Sequence, residues 1–287
     1  STYAPDKILE EAVQFIDAHA SEPFFLYFAS TIPHLALQIP DAELDQYPKS
    51  WDTEPYLGEN GYLPHPRPRA AYAAMISRFD MEVGNIYRSL KRNGIADNTL
   101  IVLWSDHGWH LGEKGISGKN TLWDDGTRVP LIFAGPGVKK GQVCAKPAEL
   151  LDIYPTLTEL LKLPANKKNE GHSLVPQLKN AKAERKWPAI TTHNHDNHGV
   201  RSEHWRFIQY ADGSQELYDM RKDPNEWTNL AHDSKYAEVI ADHKKFLPKS
   251  KRQPAPGSRA RILTYVKGKV VWQGEEIKPK DSIPGLD

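Results

Sequence analysis

Two apolar runs, residues 98–104 and 129–134, bracket a polar stretch crowded with Gly, His, Lys, Asp and Trp, and this bracketing is what most limits the folds open to the chain. The first run, Asn-Thr-Leu-Ile-Val-Leu-Trp, shows no polar alternation, as a strand covered on both faces requires. A polar connection as long as residues 105–128 is unusual between strands of a compact domain unless it carries function. Upstream, Ile8, Leu9, Ala12, Val13 and Ile16 recur at helical spacing within residues 6–19, and residues 24–29 form a second unbroken apolar run that reads as a strand. Met75, Phe79, Val83, Ile86 and Leu90 predict a long helix that stops at Asn93-Gly94, a plausible glycine cap. A helix is expected over 150–163, and residues 37–69, rich in Pro, Tyr and charge, read as a long, partly ordered loop on the active-site side. The alternation predicts an α/β domain: a mostly parallel sheet flanked by helices.

The pattern changes after about residue 165. Residues 167–171 and the charged stretch 179–186 read as linker, so the expected division is 1–180 and 181–287. Beyond it, 187–192, 200–210 and 215–220 read as strands, with a hairpin turn at Ala211-Asp212-Gly213-Ser214. With a helix over 236–246 they predict a smaller antiparallel sheet-plus-helix subdomain. The tail residues Lys244, Lys245, Lys249, Lys251, Arg252, Arg259 and Arg261 read as a solvated basic face, followed by a strand candidate over 262–272.

Thirty-seven basic and 37 acidic residues cancel, so no global field draws the chain to nucleic acid or an anionic membrane. No apolar run approaches the roughly 20 residues of a membrane span, and no signal peptide is visible. The single cysteine permits no internal disulfide.

The chemistry concentrates after the strand at 98–104. Asp106 and His107 stand at its carboxyl end, the place where open α/β sheets hold ligands, and both side chains bind metal ions when deprotonated. An Asx turn would use the same letters. His34 follows the run at 24–29 in the same way and can titrate near neutral pH. Lys119 lies in the polar stretch, and His110 is a candidate for a pocket wall. The knot His193-Asn194-His195-Asp196-Asn197-His198, just before Arg201, reads equally as a substrate-recognition loop or a solvated turn, with a metal site a third reading. In the substrate reading, His198 and Arg201 would grip an acidic group, since arginine binds carboxylates and similar oxyanions bidentately.

The stretch from Asp106 through Lys119 to Arg128-Val129-Pro130-Leu131 resembles the sulfatases of the alkaline phosphatase superfamily, most of all the iduronate-2-sulfatase-like bacterial members. Phe24 to His34, residues 69–83, and the segment from Glu216-Leu217-Tyr218-Asp219 to Asn229-Leu230 are similar to other parts of that family's pattern. The resemblance implies an alkaline-phosphatase-like fold, here partial, and a sulfuric ester hydrolase acting on a sulfated carbohydrate or aryl sulfate. It further implies Asp106 and His107 on a divalent metal, Ca2+ first and Mg2+, Mn2+ or Zn2+ as alternatives. Lys119 and His34 would face the sulfate as catalytic groups, and periplasmic or secreted location is expected.

One part of that pattern is missing. Sulfatases of this type carry Cys or Ser followed by x-Pro-x-Arg, whose first residue becomes the formylglycine nucleophile. The only cysteine here stands in Cys144-Ala145-Lys146-Pro147, without the arginine. The chain therefore reads as the carboxyl-terminal part of such an enzyme, with formylglycine and further acidic ligands expected on a missing amino-terminal segment. Two alternatives remain at this point: a metal-dependent phosphatase or phosphodiesterase of the same superfamily, and a non-catalytic sulfated-glycan-binding fragment.

Overall fold

The computed structural model describes residues 3–34, 37–52, 66–194, 196–250, 263–266, 269–272, 275–276 and 278. Two compact units divide the chain, Ser1–Glu184 and Arg185–Asp287.

In the first unit, helix α1 (Ala4–His19) buries Ala12 and Ile16, two members of its predicted stripe. It packs on α2 (Pro68–Arg92), and Asp17 accepts hydrogen bonds there from Ser89 Oγ at 2.7 Å and Arg92 Nη2 at 2.8 Å. Gly94 at φ +72 just past the end of α2 is the stop signal seen in the sequence, and the structure adds a proline in the first turn, where its missing N–H costs nothing. The α2 face buries Ala70, Ala71, Met75 and Leu90, and also Glu82, which is fully buried. Ala70, Ala71 and Met75 form a core with Ile32, Leu37 and Leu44. Part of the expected loop is thus packed: Arg67 donates to Asp45 Oδ1 at 2.9 Å and to the Tyr47 carbonyl at 2.8 Å. Residues 53–65 of that loop lie outside the described residues.

Strand β1 (Ile101–Trp104) pairs with β4 (Leu131–Ala134), with Ile101 opposite Ala134 and Trp104 opposite Leu131. Between them stand a short hairpin with two residues in each strand, β2 (His110–Leu111) on β3 (Ser117–Gly118), and a single helical turn, α3 (Asp124–Thr127). The helices and strands alternate as in an α/β chain, yet the described ladders are antiparallel where parallel pairing was expected. The connection from β1 to β4 returns without a crossover helix, which is what parallel pairing needs. Residues 24–29, expected as a doubly covered strand, take part in no ladder among the described residues, and Phe25 and Tyr27 are 81% and 63% exposed. Apolar composition marks a run for burial but does not supply hydrogen-bond partners. Tyr27 instead stacks on Trp104 at 5.8 Å, which holds this segment against the end of β1.

Helix α4 (Ile153–Leu160) is shorter than the predicted 150–163 and is preceded by a capping box between Glu149 and Asp152. Asp152 and Thr156 accept from the backbone N–H groups of His172 and Leu174, at 2.7 and 2.8 Å. Residues next to the expected linker are therefore pinned to this helix. The second expected linker is also tied down, because Gln177 Nε2 donates to the carbonyls of Ala183 and Glu184.

The second unit is a four-stranded antiparallel meander, β5 (Ala189–Thr192), β6 (His198–Arg201), β7 (Trp205–Gln209) and β8 (Gln215–Asp219). Val200, Phe207 and Leu217 pack with Ile240 of α5 (Ala237–Lys244). The predicted strand 200–210 is two strands, broken where Ser202 N–H donates to the Trp205 carbonyl at 2.9 Å. Arg206 and Glu226 form a buried pair, Nε to Oε1 2.7 Å, with side chains 3% and 2% exposed. Three further strands, β9 (Leu263–Val266), β10 (Lys269–Trp272) and β11 (Glu275–Glu276), form a separate antiparallel sheet, so the expected strand at 262–272 is a hairpin. Lys251, Arg252, Arg259 and Arg261 of the expected basic face lie outside the described residues.

Candidate active site

β1 ends at Trp104, and the next residues turn tightly on themselves. Ser105 Oγ donates to the His107 carbonyl at 2.9 Å, and the His107 N–H donates to Asp106 Oδ1 at 3.0 Å. The Asp106 side chain is 80% exposed. His107 Nδ1 lies 2.9 Å from the Gly108 carbonyl, an acceptor only, so Nδ1 carries the proton and donates. The lone pair then sits on Nε2, which lies 3.3 Å from Asp106 Oδ2. A backbone acceptor that selects the tautomer and frees the other nitrogen is the arrangement metal-bound histidines use. Two acceptors facing each other at this distance need a proton or a cation between them. The residues present therefore fit a divalent ion.

Gly108 continues the turn without room for a side chain: a Cβ there would stand 2.0 Å from the Asp125 carbonyl oxygen. Its N–H donates to the Gly126 carbonyl at 3.0 Å. Gly126 is equally confined, since a Cβ would meet Thr121 Oγ1 at 2.5 Å and both His110 Nε2 and the Lys119 carbonyl at 3.3 Å. The start of the loop and the segment after β3 thus meet on α3.

The β2–β3 hairpin reverses at Gly112, Lys114 and Gly115, all with positive φ, and delivers Lys119 just past β3. Lys119 Nζ comes to 3.4 Å from His34 Nε2, a contact between residues 85 apart in the chain. His34 is exposed on the turn after residues 24–31, where its N–H donates to the Thr31 carbonyl at 3.2 Å. Ser30 Oγ donates to Glu82 Oε2 at 3.0 Å and ties the root of that turn to α2. Burial pushes the Glu82 carboxyl above the usual range, and its other oxygen has no hydrogen-bond partner. Sequence reasoning missed Glu82. The signal was present, because position 82 falls three residues after Phe79 and seven after Met75, on the apolar face of the helix.

His110, expected on a pocket wall, is fully buried, with Nε2 2.7 Å from Thr121 Oγ1. Pairing of β2 with β3 and packing under α3 leave it no surface for a substrate. Ligand atoms of His110, Glu113 and Asp125 lie within 4.8 Å of one another, a second group able to hold a metal.

His198 and Arg201 belong to the second unit, both on β6. His198 is buried, with Nδ1 2.9 Å from Thr192 Oγ1, and the Arg201 guanidinium donates to the Ser202 carbonyl. Three residues apart on one strand, they face opposite sides of the sheet. The expected joint grip by these two side chains is not formed. His195 lies outside the described residues.

Comparison with known proteins bears on this arrangement. The family model named Sulfatase matches residues 2–163, more than half of the chain. The chain belongs to the sulfatase family. A second family model, N-sulphoglucosamine sulphohydrolase, C-terminal, matches residues 112–253. Among relatives, a sulfatase of Formosa agariphila is 38% identical over 275 residues, covering 87% of this chain and 54% of that protein. A delta 4,5-hexuronate-2-O-sulfatase of Bacteroides thetaiotaomicron is 32% identical over 192 residues, covering 61% of this chain and 39% of that protein. A solved structure of a protein in complex with its substrate D-glucosamine-2-N,6-O-disulfate superposes with a TM-score of 0.72 at 20% identity, covering 85% of this chain and 68% of that one. This sulfatase chain therefore has the alkaline-phosphatase-like α/β fold in part, and spans about half the length, or less, of these two relatives.

Proposed function

We propose that the protein to which this sulfatase chain belongs hydrolyses sulfate esters of a carbohydrate. In this reading, Asp106 and His107 hold a divalent cation, Ca2+ being the ion assigned, while Lys119 and His34 face the sulfate. The observation that carries it is the approach of Lys119 Nζ to His34 Nε2, 3.4 Å, which joins an ammonium and an imidazole from distant parts of the chain. Such a pair suits a tetrahedral anion whose leaving oxygen needs a proton. The ammonium meets charge on the sulfuryl oxygens without reorganising as that charge develops, usually the largest share of catalysis, and the imidazole gives a proton to the departing alkoxide. When bound, the cation adds Lewis-acid stabilisation of the same oxygens.

No Cys/Ser-x-Pro-x-Arg stands in these 287 residues. The reading therefore assigns them anion contact and metal holding, with the formylglycine nucleophile supplied from outside them. The substrate reading is supported by the relative that is a hexuronate-2-O-sulfatase and by the structural neighbour that binds a disulfated glucosamine. A role for Arg201, half-buried at the end of β6 in the second unit, as a contact for an acidic group is proposed separately. Export to the periplasm or cell exterior of a bacterium belongs to the same proposal. Among the described residues no helix is long and apolar enough to cross a membrane.

Matched aryl sulfate and aryl phosphate esters, assayed with the complete protein, test the reading. Sulfate turnover should dominate, and Lys119→Ala should lower sulfate kcat/KM by about 10²–10³, as removal of one transition-state donor does. Faster phosphate turnover would overturn the choice of ester, and an unchanged Lys119→Ala rate would remove the pair from the site.

A further inference from the structure

The polar loop holds a second cluster that the sulfatase reading does not use. His110 is on β2, Glu113 in the hairpin turn and Asp125 on α3, and one ligand atom of each lies within 4.8 Å of the others. His110 supplies the decisive detail. It is fully buried, and its Nδ1 is inaccessible and has no hydrogen-bond partner. Leaving a buried polar nitrogen unmatched costs about 1–3 kcal/mol, so a group in this position calls for an explanation.

Nε2 of the same ring lies 2.7 Å from Thr121 Oγ1. With the proton on Nε2 and given to that oxygen, the Nδ1 lone pair points among the carboxylates, and Asp125 Oδ2 stands 3.8 Å away. That separation is too long for a hydrogen bond. It is close to the ~3.3–3.6 Å between two atoms that share one ion at ~2.0–2.2 Å with tetrahedral angles. Asp125 is half exposed and can close the remainder by rotation. Glu113 keeps one oxygen on the Leu111 N–H at 2.7 Å, which orients the carboxylate and leaves its other oxygen for an ion.

The electrostatics agree. Burial holds the His110 imidazole below its usual pKa, so the ring is neutral and able to ligate. Burial first, and then the Glu113 charge, push the Asp125 carboxyl up. A cation between them relieves both. The Trp123 ring, edge-on to His110 at 6.3 Å, packs beside the cluster.

We propose that His110, Glu113 and Asp125 bind a divalent cation of the zinc or manganese class, which pins the β2–β3 hairpin to α3. One imidazole nitrogen with two carboxylates suits a borderline ion better than Ca2+, which takes oxygen ligands. Its role is structural: the hairpin carries Lys119, and the ion fixes its base. The site is separate from Asp106 and His107 and stands or falls independently of them.

The complete protein, stripped with a chelator and held in saturating Ca2+, is titrated with Zn2+ against a chromophoric chelator. One Zn2+ should bind and raise the thermal midpoint, and X-ray absorption should show a single imidazole nitrogen with carboxylate oxygens. Asp125→Asn and Glu113→Gln, both at exposed positions, should weaken Zn2+ by at least about tenfold while circular dichroism shows the fold retained. Asp106→Asn should leave that Zn2+ affinity unchanged. Absence of a bound Zn2+, equal affinity in the Asp125 and Glu113 variants, or loss only in Asp106→Asn would each overturn the proposal. Loss of Ca2+-dependent sulfate turnover in Asp106→Asn, by contrast, bears on the proposed function alone.

Discussion

Gly108→Ala tests whether the turn proposed to hold a metal depends on the close backbone approach beneath it. A Cβ at residue 108 stands 2.0 Å from the Asp125 carbonyl oxygen and 3.0 Å from that of Arg128. Both obstacles are backbone, so the segments must part by about 1 Å to reach the 3.0 Å that real contacts respect. Overpacking of this kind costs about 1–3 kcal/mol. The separation also strains the Gly108 N–H to Gly126 carbonyl bond at 3.0 Å, whose net worth is about 0.5–1.5 kcal/mol. Together the expected loss is about 2–4 kcal/mol, and at ~2–4 °C per kcal/mol for a domain of this size the thermal midpoint falls by roughly 5–15 °C. Gly84→Ala is the control, because the nearest atoms to its Cβ belong to the flexible Arg88 guanidinium, 3.3 Å away, and a helical Gly→Ala gains about 0.5–1 kcal/mol. Tryptophan fluorescence during thermal unfolding reads both variants, and calorimetric titration with Ca2+ reads the turn directly. An unchanged midpoint together with unchanged Ca2+ affinity in Gly108→Ala would refute the reasoning.

Three other outcomes are expected. Asp106→Ala should abolish metal-dependent sulfate turnover and weaken Ca2+ binding in the complete protein, whereas unchanged metal content and rate would remove Asp106 from the site. Glu226→Ala leaves Arg206 charged and buried at 3% exposure, so urea unfolding of the second unit should show a loss of about 3–5 kcal/mol, largely restored by adding Arg206→Met; equal stability of the single and double variants would contradict this. Arg221, hydrogen-bonded to both Asp219 oxygens at 2.8 Å, holds that carboxyl below its usual value, so the pair's stabilisation is complete above the unfolded carboxyl pKa of about 3.9 and drains as pH falls through the lower folded value. Arg221→Ala should therefore flatten the acid limb of an unfolding curve below about pH 4, and an identical limb would count against the assignment.

The elements read correctly from the sequence are those specified by short-range physics. Periodicity located α1, periodicity with a terminal glycine located α2, and the apolar run before Ser105 located β1, because helical spacing and a glycine stop act within a few residues. The turn at Asp106 and His107 is local in the same sense, closing on itself through the Ser105 hydroxyl to the His107 carbonyl and the His107 N–H to the Asp106 carboxylate. Strand pairing was not legible, since period-two patterning does not say which run lies alongside: 24–29 found no ladder among the described residues, and β1 met β4 antiparallel. Nor was the fate of single polar residues. His110 looks like surface chemistry in a string of letters, yet hairpin closure buries it, whereas the burial of Glu82 was signalled by its helical spacing from Met75 and Phe79 and was missed. His198 and Arg201 look adjacent until the strand turns them to opposite faces. The contact between Lys119 and His34 closes 85 residues of intervening chain, and only the packing of the hairpin against α3 and of the residue 30 turn against α2 could bring it about. Residue types and local spacing were therefore set by the sequence alone, while burial and long-range juxtaposition, which depend on every element packed between, were decided by the tertiary structure.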